Sequence, residues 1–154
     1  MPVEIAVCAR DSAAKAPYSE IAAYLGALPD VVVQGNDFTF RDEEAGVFFV
    51  AKPAHGANDA FGADADGTCD RVLVRIPGEM VATTRTTVAD FCAALATQFN
   101  WKITGGGGAE LASSADVLKS LGGGPSPVRS AMAGCGSVLA TLVLCGVLIA
   151  ATPH

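Results

Sequence analysis

The run Ala131–Thr152, AMAGCGSVLATLVLCGVLIAAT, contains no charged residue, so it must be shielded from water by lipid or by a protein core. As a helix rising ~1.5 Å per residue it covers roughly 30 Å, the hydrocarbon thickness of a bilayer. Leu139, Leu142, Val143, Leu144, Val147, Leu148 and Ile149 surround the helix axis on all sides. With no polar face to turn towards water, a surface helix and an interfacial helix are both disfavoured. A helix buried in a globular core is the competing reading, and the length of the run argues against it. The sequence therefore predicts a single transmembrane helix over 131–152, a tail anchor. Within it Ala133, Ser137 and Thr141 recur at every fourth position, and Gly136 with Ala140 forms a second small-residue row. Such a ridge suits packing against another helix, so a homo-oligomer formed through the span is an expectation. Arg129 and Lys119 precede the run and no Lys or Arg follows it. That asymmetry predicts a single-pass membrane protein whose N-terminal domain is cytoplasmic.

The remaining chain divides into an acidic domain over 1–121 and a Gly/Pro linker over 122–130. All acidic residues precede the uncharged run, and the net charge is −6. That balance disfavours nucleic acid as a ligand and suits a basic protein partner. Cys8, Cys69 and Cys92 lie in the domain, with no CxxC and no Cys/His pairing at metal-ligand spacing, so no metal site and no cofactor is expected.

Val3, Ile5 and Val7 alternate with smaller or polar residues and predict a first strand. Pro17 opens a helix whose Ile21, Tyr24, Leu25 and Leu28 share a face. DFTFR (37–41) and GVFFVA (46–51) flank the acidic turn Asp42-Glu43-Glu44, which predicts a hairpin. RVLVRI (71–76) reads as a strand, Met80–Thr83 as a short one, and WKIT (101–104) as the last. Thr87–Asp90 fits a capping box opening a helix along Val88, Phe91, Cys92, Leu95 and Phe99. A further helix is expected within Ala109–Leu121, and Pro53–Asp70 reads as a long loop. The predicted class is α+β: a small sheet with helices packed on one face, followed by the span.

Chemistry is harder to find. Asp64-Ala65-Asp66-Gly67 suggests a calcium loop, but Gly62 and Leu73 stand where ligands are needed. Gly105–Gly108 lacks the Lys-Ser/Thr pair of a phosphate-binding loop. His55 has no nucleophile at a recognisable spacing and reads as a bystander. Thr83–Thr87 with Arg85 offers an anion site at a helix start, though capping explains the same threonines. No catalytic residue is assigned, and the balance leans away from an enzyme. The expected contact surface joins His55, Asp59, Phe61, Asp64 and Asp66 of the long loop to Asp42, Glu43 and Glu44 of the hairpin turn. These features predict a membrane-anchored protein-binding module that holds a partner at the membrane, adaptor-like or immunity-like. The alternatives are an oligomerising single-span effector that perturbs the bilayer and an enzyme whose site is invisible in one sequence.

Overall fold

In a computed structural model, the structure describes residues 3–56, 58–77 and 80–122. The elements run β1 (Val3–Cys8), β2 (Ala16–Pro17), α1 (Tyr18–Gly26), β3 (Val31–Gln34), β4 (Asp37–Asp42) and β5 (Val47–His55). They continue as β6 (Ala60–Phe61), β7 (Thr68–Cys69), β8 (Arg71–Ile76), α2 (Ala82–Phe99), β9 (Lys102–Thr104), β10 (Glu110–Leu111) and α3 (Ser114–Ser120). The protein is mixed α/β, built on a large antiparallel sheet in the order β10-β9-β1-β8-β5-β4-β3, with β6 attached to β5. This is a larger sheet than expected, because β3 joins it as a full partner of β4 and Glu110–Leu111 adds an edge beside β9.

Register gives the sheet two unlike faces. Ile5 pairs with Val74, Val7 with Val72, and Phe40 with Phe49. All six are buried in one cluster with Ile21 and Leu25 of α1, Val88, Phe91, Cys92 and Leu95 of α2, and Val117 of α3. The spacing of those helical residues places one stripe of each helix on this face. The opposite face carries Glu4 across from Arg75, Lys52 across from Leu73, and Arg41 across from Phe48. Phe48 lies beneath Arg41, whose Cζ is 5.6 Å from the ring centre.

Three expectations are corrected. Helix α2 begins at Ala82, so Met80–Thr83 forms no strand and Thr87 does not open the helix. Threonine has weak helix propensity, but Thr86 and Thr87 donate to the carbonyls of Ala82 and Thr83 one turn back. The buried Thr84 donates to the carbonyl of Gly46, tying this first turn to the β4–β5 hairpin. The expected helix over Ala109–Leu121 shrinks to α3, because Glu110 and Leu111 are drawn into the sheet against Thr104 and Ile103. Ser113 then caps α3 by accepting from the Asp116 amide. Finally, Pro53–Asp70 is not an open loop: it contains the end of β5 together with β6 and β7, and β7 pairs with β2.

The predicted span, with Ala133, Gly136, Ser137, Ala140 and Thr141, lies outside the described residues, as does nearly all of the 122–130 linker. Among the described residues no helix is long and apolar enough to cross a membrane.

Candidate functional site

The two acidic segments expected to form one surface stand at opposite ends of β5. Asp42–Glu44 precede its first residue, Val47, and the 55–70 loop follows its last, His55. Nine residues of strand separate them by about 26 Å. They are two regions, and their carboxylates are used differently.

In the loop the carboxylates of Asp59, Asp64 and Asp70 are committed internally. Asp64 Oδ1 accepts from the amides of Asp66 and Thr68 at 3.0 and 2.9 Å, Thr68 Oγ1 donates to both carboxylate oxygens, and Lys15 Nζ reaches Oδ2 at 3.1 Å. The Thr68 amide, then Lys15, hold the Asp64 carboxyl well below the usual carboxylate range. Asp59 and Asp70 both bind Arg71, each at 2.8 Å, and Asp70 also accepts from the Gly56 amide. Phe61 folds over the open sheet face, 5.0 Å from Lys52 Nζ and 5.6 Å from Arg75 Cζ, and remains 45% exposed. Asp66 is exposed and its side chain has no hydrogen bond or ion pair with another described residue.

The loop also brings His55 and Cys69 together, a juxtaposition no spacing revealed. His55 Nδ1 and Cys69 Sγ both lie on the carbonyl of Gly62, at 3.0 and 3.2 Å. A carbonyl only accepts, so both side chains spend a proton there. Burial, reinforced by Asp64 and Asp70, pushes the Cys69 thiol up to about 11. Protonated and inaccessible, it is no nucleophile at neutral pH. Burial likewise pushes Cys92 up to about 12. Among the described residues no group of three His, Cys, Asp or Glu side chains is placed to hold a metal ion.

At the other end of β5 lies an apolar groove of about 430 Å³ between the close of α1, the β4–β5 hairpin and the outer side of α2. Phe40 and Phe49 form its floor, stacked at 4.5 Å with an interplanar angle of 6°. Phe91 leans on both from α2 at 5.0 and 5.1 Å. Tyr24 and Leu28 wall one side. Three acidic residues, Asp30, Asp42 and Asp90, are among the lining. Arg41 also lines it, but its guanidinium stands over Phe48 on the other face. Asp30 takes φ 60°, a left-handed conformation that Asp tolerates better than most residues, and its carbonyl accepts from the Arg41 amide. Asp42 Oδ1 accepts from the Ala45 amide at 2.8 Å, which shapes the acidic turn that also carries Glu43 and Glu44. Of the expected contact residues, only Asp42 lines this groove.

The groove was missed because its parts come from three distant stretches. The available signal was the facing pair of aromatic strands, Phe40 and Phe49, with Phe91 on a helical stripe. Thr83–Thr87 lie in the first turns of α2 rather than ahead of it, so they do not cap the helix, whose N-cap is Val81. An apolar concavity with a few polar groups in its lining is the usual form of a binding site. The chain matches no protein-family model, no curated protein and no solved structure.

Proposed function

We propose that this chain is a protein-binding module held at a membrane by a single C-terminal helix over 131–152, with its N-terminal domain cytoplasmic. The bound segment belongs to a protein partner and is apolar with basic flanks. The observation that carries this reading is the groove: an aromatic floor of Phe40, Phe49 and Phe91, with Asp30, Asp42 and Asp90 around it. Apolar side chains of the partner fill the floor and its Lys or Arg residues meet the carboxylates, in the manner of a helix or strand laid in a groove. The uncharged 131–152 run supports the membrane part of the reading.

Two experiments test it. Carbonate washing of membranes from cells expressing the full chain, compared with a chain ending at residue 128, checks the anchor. Recovery of the full chain in the soluble fraction would sink it. For the groove, partners captured from detergent extracts are expected to be lost with Asp42→Lys plus Asp90→Lys and kept with Asp66→Lys. The reverse pattern would move the site to the loop.

A further inference from the structure

The sheet ends on two unlike edges. One is β10, two residues long, whose Glu110 pairs with Arg10 at 3.8 Å. The other is β3, Val31–Gln34, which among the described residues pairs only with β4. Its Val32 and Val33 are 48% and 50% exposed. Natural edges are blunted by shortness, charge, proline or bulges, and β3 carries neither charge nor proline.

The backbone supplies a register. Gln34 pairs with Asp37 across the two-residue turn Gly35-Asn36, where Gly35 takes φ 60°. Residues flanking such a turn exchange both hydrogen bonds, and the pattern alternates along the strand. Val32 therefore also turns its backbone groups to β4, while Val31 and Val33 turn theirs to the unpaired edge.

We propose that a second copy of this chain adds to that edge, β3 against β3, antiparallel and centred on Val32. Val31 of each copy then exchanges two hydrogen bonds with Val33 of the other, and Val32 faces its own counterpart as a non-hydrogen-bonded pair. Val31 and Val33 share one face of the sheet, so this register keeps buried face continuous with buried face. A two-fold axis normal to the sheet produces the arrangement. The occupant is a second copy because the edge is self-complementary: its donors and acceptors match themselves, no like charges meet, and Asp30 comes opposite Gln34. An acidic chain thus meets itself through its uncharged strand.

The test is a register-specific disulfide in the full chain, extracted in mild detergent and gently oxidised. Non-hydrogen-bonded antiparallel partners have Cα atoms ~4.5 Å apart, within the ~4.4–6.8 Å a disulfide needs. Val32→Cys is expected to give a dimer whose linked peptide, mapped by mass spectrometry, joins the introduced thiol of one copy to the same thiol of the other. Gln34→Cys, offset from its own counterpart in this register, is expected to give at least ten-fold less of its own link. Val33→Lys added to Val32→Cys is expected to cut the yield to a similar degree while the circular dichroism spectrum is unchanged. Equal links at 32 and 34, or none at 32 beyond the wild-type cysteine background, would overturn the proposal, as would a chain that sediments as a monomer at all concentrations. A strand from another protein found on this edge in place of the second copy would overturn it too.

Discussion

The two ends of β5 each carry an acidic segment, and the two do different work. In the 55–70 loop, Asp59, Asp64 and Asp70 are bound by Arg71, Lys15, Thr68 and backbone amides, and they serve to order a glycine-rich stretch. Around the groove, Asp42 makes one local turn bond, and the carboxylates of Asp30 and Asp90 have no ion-pair partner among the described residues. A carboxylate that already holds several donors has little to offer a ligand, whereas one beside an apolar concavity has its lone pairs available. The comparison separates acidic residues that build the protein from those placed to meet something else.

The largest expected effect comes from the groove floor. Phe49→Ala removes a fully buried ring stacked on Phe40 and should cost about 3–5 kcal/mol in urea-induced unfolding. A smaller loss would mean that the floor collapses to fill the space.

The loop end is tested through pH. Asp64 is held below its ordinary value near 3.8, so it binds fewer protons folded than unfolded. Its contribution is fully present above the unfolded value and is lost as pH falls through the folded one. Asp64→Ala should therefore be less stable than wild type at neutral pH. The gap between their melting temperatures should close as pH drops below about 4. A gap independent of pH would show that the carboxylate charge is not what orders the loop.

Reversing the charges by Asp42→Lys plus Asp90→Lys should leave stability within about 0.5–1 kcal/mol. It should weaken capture of a basic apolar peptide by roughly ten-fold or more, with wild-type binding falling as salt rises. Asp66→Lys should leave both stability and capture unchanged.

The smallest effect is expected at Phe61. Its ring is half exposed and held by Lys52 and Arg75, so Phe61→Ala should cost about 1 kcal/mol, well below Phe49→Ala. A larger cost would make the loop aromatic a core residue in function.

Legibility in the sequence followed the range of the interactions. Alternation at period two located β1, β8 and the β4–β5 hairpin, and helical spacing located α1 and the second half of α2. The first turn of α2 was illegible because TTRTT has the propensity of a strand. What decides it is Thr84 reaching Gly46, 38 residues away, while the hydroxyls of Thr86 and Thr87 are satisfied one turn back. The order in the loop was hidden for a similar reason, since Lys15 and Arg71 bind carboxylates far along the chain. His55 and Cys69 meet only because both turn to Gly62.

By itself the sequence determined what local pattern can determine: the acidic balance, the strands and helices with one apolar face, and an uncharged run over 131–152. Periodicity reports which face of an element is buried, because burial repeats with the backbone. Only the tertiary structure decided which carboxylates are spent and which surround a groove. That depends on partners brought together by the sheet order, and a strand's partner is not written in its own residues.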